Sequence, residues 1–320
     1  MIFQRFAKLK LFPFAVILQY LRKFSFLFFD FLLVFLFLYS CNNVPKDYSK
    51  TPILFVHGHG LKAGHWSTFL EFLKTSGYPS EYLYAIDLKP KNGDNVLAAE
   101  EQLVPAVEEL LKRVNHTLKK NGKYNNPVNK IDIISHGMGA LSARWYTAKI
   151  KPDRVRVWLS LAGTNHGTSE LCSYFGQGSE DCCPPFAESI DQSLIQYTLN
   201  GNPYDPDVDE TPFGIGRDSD GTQVISPDAE RKIIYLTVWT DPNKWVKPEE
   251  SALLDGCGGI KLTSFEGLKL KEGPPGNILI DEKMGHMQLF FSSKIFHLVL
   301  ALLMKADSLD ITHKNYTLFP

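Results

Sequence analysis

Short apolar runs alternate with longer stretches of helical spacing along most of this chain. Runs with the length and apolar content of buried strands lie at 53–56, 83–86, 131–134, 155–161 and 233–238. Stretches whose apolar residues recur at helical spacing lie at 66–76, 95–121, 138–150 and 292–304. Strands that alternate with helices form a mostly parallel sheet covered on both faces, so the pattern predicts an α/β fold.

One long segment interrupts this alternation. Residues 163–230 are rich in Gly, Pro, Ser and Asp and separate the last two predicted strands. Long irregular segments inside a compact domain are usually lids or binding loops. We therefore predict one domain over 52–304 that carries a lid-like insertion, preceded by a polar tether over 42–51 and followed by a C-terminal tail over 305–320.

The N-terminus has the pattern of an export signal. Basic residues precede an apolar run over 24–39, which only Ser25 and Asp30 interrupt. The run is short for a membrane-spanning helix and has the length of a signal's apolar core. It ends in Leu-Tyr-Ser-Cys at Cys41, which resembles a relaxed bacterial lipobox, where the cysteine is lipidated. We predict an export segment over 1–41 and an exported, membrane-anchored lipoprotein of the bacterial envelope; an uncleaved membrane anchor is the alternative.

The distribution of charge argues against nucleic acid as a partner. The chain has a formal net charge of -1, and the segment through Cys41 carries five basic residues and one acid, a balance of +4. The remainder therefore carries -1 - 4 = -5 and contains no basic run. A mildly acidic body of this kind lacks the electrostatic footprint of a nucleic-acid-binding protein.

Four cysteines remain once Cys41 is set aside. An even number of cysteines in an exported protein predicts disulfides, and four allow three connectivities. We favour Cys172 paired with Cys182 or Cys183, which closes a short loop, and we leave Cys257 without a specified partner. A metal site is the weaker interpretation, because no histidine lies near these cysteines at ligand spacing.

The most specific pattern lies where a buried strand runs directly into a helix. The turn between them reads Ser-His-Gly-Met-Gly over 135–139. This is the context of a nucleophile elbow, G-x-S-x-G, whose central side chain is exposed above the sheet. Ser135 and Gly139 occupy the two positions that must be small, and Gly137 stands where the nucleophile is expected.

Further motifs surround this turn on both sides. They are P-I-L-F-V-H-G at 52–58, H-G-M-G with a downstream A-R at 136–144, A-G-T-N-H-G-T at 162–168, D-E-T-P at 209–212 and S-A-L-L-D-G at 251–256. Together they resemble the class 2 lipase family of α/β-hydrolases over roughly 52–304. The resemblance implies the α/β-hydrolase fold, carboxylic-ester hydrolysis without a cofactor, and a triad in the order Ser, Asp, His.

The same resemblance locates the other catalytic positions. The acid is expected three residues before Val246, where Asn243 stands, and Asp241 is the possible substitute. The base is expected just before the last helix, where His286 stands. By resemblance, the backbone N–H groups of His59 and Met138 form the oxyanion hole, which needs no particular side chain.

Other groups near these motifs carry weaker hypotheses. Ser135 could replace the missing nucleophile, but the elbow geometry points it into helix–strand packing; Ser160 and Thr164 are no better supported. The histidines at 57, 59 and 65 could suggest zinc, and the acidic residues at 205–210 could suggest calcium. The acidic spacing lacks the glycine and terminal glutamate of a calcium loop, so we predict no metal.

Three functional hypotheses follow. The first is a catalytically impaired lipase-family protein that binds lipid or ester ligands, since Gly137 has no oxygen to attack an ester and Asn243 lacks the charge of the acid. The second is an active carboxylic-ester hydrolase of the triacylglycerol lipase type with a non-standard nucleophile. The third is a structural or protein-interaction lipoprotein.

Overall fold

A computed structural model describes residues 44–91, 93–172, 180–183, 194–200, 216–217, 223–224, 233–240, 243–254 and 260–312. The chain divides into two compact units, 1–46 and 47–320, and the second carries the fold. The predicted export segment with Cys41, the possible acid Asp241, and the acidic residues at 205–210 lie outside the described residues. Within the part of the chain that is described, no helix is long and apolar enough to cross a bilayer.

A seven-stranded sheet forms the centre of the second unit, in the order β2-β1-β3-β4-β7-β9-β8. Neighbouring strands are parallel except for the antiparallel pair of β8 and β9 at one edge. A separate antiparallel pair, β5 and β6, lies in the insertion. The strands are β1 Ile53–Val56, β2 Leu83–Ile86, β3 Ile131–His136, β4 Val155–Leu161, β5 Gly216–Arg217, β6 Gln223–Val224, β7 Ile234–Thr240, β8 Leu270–Lys271 and β9 Asn277–Ile280. The mostly parallel sheet confirms the predicted fold class.

Helices pack on both faces of the sheet. They are α1 Ser67–Thr75, α2 Asn95–Ala98, α3 Val104–Lys120, α4 Gly139–Trp145, α5 Ser169–Cys172, α6 Leu194–Asn200, α7 Gln288–Phe291 and α8 Ser293–Thr312. The predicted helix at 95–121 is interrupted by a π-helical segment, Ala99–Leu103, and a second one, Tyr146–Ile150, extends α4. The carboxylate of Asp94 caps α2 by accepting from the N–H groups of Val96 and Leu97.

The apolar runs of the strands are continuous because both faces of the sheet are buried. In β1, Ile53 and Phe55 join a core cluster that includes residues of α1 and α8. Leu54 and Val56 face the other way, into a cluster that includes residues of α3 and α4. All four residues of this strand are fully buried. The strand therefore reads as an unbroken apolar run and not as an alternating one.

The last helix is longer than the sequence pattern predicts. The pattern predicts an end at residue 304, but α8 continues to Thr312, so the first part of the predicted tail is helical. Asp307 in this extension forms an ion pair with Arg156 of β4. Arg156 also donates to Asp132 of β3, with Nη2 2.5 Å from Oδ2. Asp132 and Arg156 are buried and Asp307 is partly exposed, and these two ion pairs connect the end of α8 to the sheet.

The described parts of the insertion pack against α4. Ile195 and Leu199 of α6 join Met138 and Leu141 in a small apolar cluster. The guanidinium of Arg144 is fully buried and donates to the carbonyl oxygen of Leu199 at 2.8 Å. These contacts fix the start of α4 and the insertion relative to each other.

One predicted disulfide candidate is wrong. Cys182 is a free, fully buried thiol, with Sγ 3.6 Å from the hydroxyl of Thr164. Burial raises the pKa of this thiol to about 12, so it stays protonated. The side chains of Cys172 and Cys257 lie outside the described residues, and pairing among Cys172, Cys183 and Cys257 stays a prediction.

Candidate active site

A sharp turn joins β3 to α4, and it accepts only glycine at its close contacts. Gly137 has a φ of +54°, a left-handed conformation that side chains disfavour. A Cβ atom on Gly139 would lie 2.2 Å from the carbonyl oxygen of His57, and one on Gly58 would lie 2.8 Å from that of His136. The first strand, its following turn and the start of α4 are therefore packed backbone to backbone.

Three of the predicted positions lie together at this turn. A Cβ atom on Gly137 would lie 3.1 Å from Nε2 of His286, so the imidazole faces the place of the missing side chain. On the other side of the ring, Nδ2 of Asn243 lies 3.3 Å from Nδ1 of His286. Gly137, His286 and Asn243 therefore form a row with the geometry of a catalytic triad.

Backbone groups decide which way the Asn243 side chain faces. Its Oδ1 accepts hydrogen bonds from the N–H groups of Trp245 at 3.0 Å and Val246 at 3.3 Å. The NH₂ group must then face His286, because a flipped amide would set its N–H bonds against two backbone donors. Asn243 thus donates to Nδ1 of His286, and the neutral ring carries its proton on Nε2.

The ring of His286 is neutral at physiological pH. Burial lowers its pKa from the ordinary value near 6.5 to about 4, although the edge of the residue is partly exposed. In a Ser-His-Asp triad, the aspartate accepts from Nδ1 and leaves Nε2 free to take the proton of the serine. In this chain the hydrogen-bonding roles of the two ring nitrogens are exchanged, because Nδ1 accepts and Nε2 donates.

A second histidine supports the loop that carries His286. His136, at the end of β3, is fully buried, and its Nε2 lies 3.2 Å from the carbonyl oxygen of His286. Its ring meets the ring of Phe290 edge to face, with centroids 4.7 Å apart. Burial, and then the neighbouring His286, hold the pKa of His136 well below its ordinary value. We did not predict this role from the sequence, although His136 lies next to Gly137 in the elbow motif.

The predicted oxyanion turn lies beside the empty nucleophile position. The Cα atom of Gly58 is 3.9 Å from the place of a Cβ on Gly137. His57 supports the turn, because its Nε2 accepts from the N–H of Leu88 at 3.0 Å and its Nδ1 donates to the carbonyl oxygen of Gly58 at 2.9 Å. Met138 directly precedes α4, where the first N–H groups of a helix lack intrahelical partners. The roles of His59 and Met138 as oxyanion donors stay predictions.

The alternative hydroxyls are engaged elsewhere. The Oγ of Ser135 donates to the carbonyl oxygen of Leu159 at 3.1 Å, inside the sheet. The Oγ of Ser160 contacts Asn165 at 3.5 Å, and the hydroxyl of Thr164 lies against the Cys182 thiol. None of these three hydroxyls contacts His286.

The described histidines do not converge on a metal position. Both ring nitrogens of His57 are already hydrogen-bonded, and Nδ1 of His65 interacts with the backbone of Lys62. Among the residues that the structure describes, no three His, Cys, Asp or Glu side chains form a group that could hold a metal ion. The chemistry available at this site is therefore hydrogen bonding by an imidazole and by backbone N–H groups, without a nucleophile at the elbow.

Comparison with known proteins agrees with this geometry. Residues 50–185 match the family model described as lipase (class 2). The structure is similar to lipase B of Aspergillus fumigatus, with a TM-score of 0.52 at 14% identity, covering 82% of this chain and 55% of that one. It is also similar to the mature lipase BlEst2 of Bacillus licheniformis, with a TM-score of 0.50 at 15% identity, covering 81% of this chain and 94% of that one. The chain thus spans about half the length of the Aspergillus lipase. At sequence identities of 14–15%, these similarities show a shared fold. Residues 50–185 are therefore similar to the class 2 lipase family, and the sheet as a whole has the α/β-hydrolase fold seen in these lipases.

Proposed function

We propose that this protein is a lipase-family α/β-hydrolase that has lost ester hydrolysis and acts by binding lipid or ester ligands. The observation that carries the proposal is the row of Gly137, His286 and Asn243, in which the base retains its place while the nucleophile and the acid are replaced. The scaffold of a lipase site is kept, and its reactive oxygen is absent.

The expected loss of turnover is large. Removal of the nucleophilic serine from a triad of this type lowers turnover by about a million-fold in a serine protease. The oxyanion hole and substrate binding alone leave roughly a thousand-fold acceleration over water. The donor Asn243 adds a second obstacle, because it keeps the proton of His286 on Nε2, where a general base needs a lone pair.

The competing hypothesis of an active hydrolase requires another nucleophile at Nε2 of His286. A water molecule there would accept a hydrogen bond from Nε2–H and could not give up its proton to that nitrogen. The hydroxyls of Ser135, Ser160 and Thr164 have other partners. The arrangement of the described residues therefore favours binding over catalysis.

The test of impaired catalysis uses the purified full-length protein and its His286→Gln variant. Both should hydrolyse p-nitrophenyl butyrate at the same low rate, and neither should form a covalent adduct with a fluorophosphonate probe. Turnover that depends on His286, or a probe adduct on a serine, would support the active hydrolase instead. A thermal-shift screen of fatty acids and their esters tests the binding function. If no ligand shifts the melting temperature, the structural or protein-interaction hypothesis is favoured.

We further propose that the domain is anchored to the outside of a bacterial membrane through a lipid on Cys41. The apolar run over 24–39 and the Leu-Tyr-Ser-Cys sequence support this. The protein expressed in a bacterial host should incorporate an alkyne-labelled fatty acid, and Cys41→Ser should abolish labelling. Cys182→Ser is the matched control, since Cys182 is a buried free thiol and should leave labelling unchanged. Equal labelling of the wild type and Cys41→Ser would contradict the proposal.

A further inference from the structure

We propose that the space beside Gly137 is a carboxylate subsite, which binds the ionised head group of a free aliphatic acid in preference to the corresponding uncharged ester. The choice of an aliphatic ligand rests on the proposed lipid-binding function. The preference for the carboxylate rests on the hydrogen-bonding polarity of the described residues around the space.

The first observation is that the side chain facing the space is a donor. Because the N–H groups of Trp245 and Val246 hold Oδ1 of Asn243, the amide donates to Nδ1 of His286. The proton of the neutral imidazole is therefore on Nε2, the nitrogen that faces the elbow. An active triad presents an acceptor at this point, whereas this chain presents an N–H.

The second observation is the room for an oxygen atom. A Cβ on Gly137 would lie 3.1 Å from Nε2 of His286 and 3.9 Å from the Cα of Gly58. A ligand oxygen at hydrogen-bond distance from Nε2 would fill the place that a side chain at residue 137 would take.

The third observation concerns charge. Asn243 replaces the carboxylate that a complete triad would hold behind the histidine, and that charge would repel an acid. Within the described part of the chain, burial alone shifts the pKa of His286, and no carboxylate contributes. The other histidines that face this region, His136 and His57, also have lowered pKa values because of burial and are neutral. Hydrogen bonds to a charged acceptor are roughly twice as strong as those to a neutral one. The site therefore favours an ionised acid over its ester.

The experiment compares dodecanoate, methyl dodecanoate and acetate as ligands of the full-length protein at pH 8, by titration calorimetry below the micelle concentration. Dodecanoate should bind at least tenfold more tightly than methyl dodecanoate. Binding of acetate with similar affinity would indicate a site for any small carboxylate and would overturn the aliphatic part of the inference. Equal affinity for dodecanoate and its methyl ester would overturn the carboxylate subsite while leaving lipid binding intact. If neither dodecanoate nor methyl dodecanoate binds, the proposed lipid-binding function itself fails.

Two variants test directly whether Asn243 makes Nε2 of His286 a hydrogen-bond donor. Asn243→Asp should weaken dodecanoate binding at least tenfold and weaken methyl dodecanoate binding by a clearly smaller factor, because the ester loses a hydrogen-bond donor but meets no charge repulsion. Asn125→Asp makes the same change in net charge on an exposed loop and should alter neither affinity. If both variants weaken dodecanoate binding equally, overall charge accounts for the effect and the subsite is refuted.

Nitrogen NMR of ¹⁵N-histidine-labelled protein gives a readout that does not depend on ligand binding. Wild-type His286, identified by comparison with His286→Gln, should show a protonated Nε2 and an unprotonated Nδ1. Asn243→Asp should exchange the two. A wild-type ring with its proton on Nδ1 would remove the basis of the inference. The comparison of acid and ester on the wild-type protein stands even if the Asn243→Asp variant does not fold.

Discussion

Serine-dependent ester hydrolysis at this turn should require two substitutions at once, Gly137→Ser and Asn243→Asp. A serine at residue 137 would place its Cβ 3.1 Å from Nε2 of His286, so its hydroxyl is within reach of the ring after a small shift. While Asn243 is present, however, Nε2–H points at that hydroxyl and cannot take its proton. Asn243→Asp reverses the ring, because one carboxylate oxygen keeps the N–H groups of Trp245 and Val246 and the other accepts from Nδ1–H.

The size of the effect follows from the tautomer. In a serine protease, the corresponding aspartate-to-asparagine change lowers turnover by about 10⁴ because the histidine is held in the wrong tautomer. The double variant should therefore hydrolyse p-nitrophenyl butyrate about 10³- to 10⁴-fold faster than Gly137→Ser alone. Asn243→Asp alone should gain nothing, because it has no nucleophile. The serine also carries a cost of about 1–2 kcal/mol in unfolding free energy, since Gly137 has a φ of +54°.

Initial rates should be normalised to the total protein concentration, and urea unfolding should confirm that each variant is folded. Gly137→Ser combined with Asn125→Asp is the control for net charge and should match Gly137→Ser alone. Adding Asp241→Asn to the double variant tests the other acid candidate and should leave the rate unchanged. If Gly137→Ser alone is as active as the double variant, the inferred tautomer of His286 is wrong.

Three further substitutions test the packing and the charges of the domain. Gly139→Ala should lower the free energy of unfolding in urea by about 3 kcal/mol or more, because the new Cβ would lie 2.2 Å from a backbone carbonyl oxygen; a loss below about 1 kcal/mol would contradict the close packing. His286 has a pKa of about 4 when folded and near 6.5 when unfolded, so the unfolded state binds the extra proton between these values. The free energy of unfolding should therefore be highest above about pH 6.5 and fall by roughly 2 kcal/mol toward pH 4 because of His286. His286→Gln should flatten this pH profile, whereas the exposed control His116→Gln should not. Arg156→Met should lower the free energy of unfolding in urea by about 3–5 kcal/mol, because Asp132 and Asp307 lose the cation that they share. Arg154→Met breaks a more exposed ion pair and should lower it by less than about 1 kcal/mol.

The strands that the sequence pattern predicts well are short runs that begin and end on apolar residues. The predicted bounds of β1, β2 and β4 agree with the structure, and the residues at both ends of each strand are apolar and buried. The short strand β9 was missed. Its first residue, Asn277, is polar, and its amide is bonded to Thr237 and to the backbone of Leu254, contacts between residues far apart in sequence. The extension of α8 was missed for a similar reason, since Asp307 is polar but has a partner in the sheet.

In the candidate site, too, some features could be predicted from the sequence and others could not. Motif spacing located Gly137, Asn243 and His286, and the structure brings these three together. The spacing could not reveal which end of the Asn243 amide faces His286, because that depends on the direction of two backbone N–H bonds in a loop. The disulfide prediction for Cys182 was wrong because the count of cysteines carries no information on which thiols are buried in an apolar cluster.

The ion pair between Asp307 and Arg156 has a consequence for the order in which this protein is made. Arg156 is synthesised long before Asp307, and until Asp307 follows, Asp132 is the ionic partner available to it among these three residues. The loop with His286 lies between β9 and α8, so it too is synthesised after most strands of the sheet. Domains fold as units as they are synthesised. A nascent chain stalled before residue 307 should therefore remain sensitive to protease, and the row of Gly137, His286 and Asn243 should form only when α8 docks.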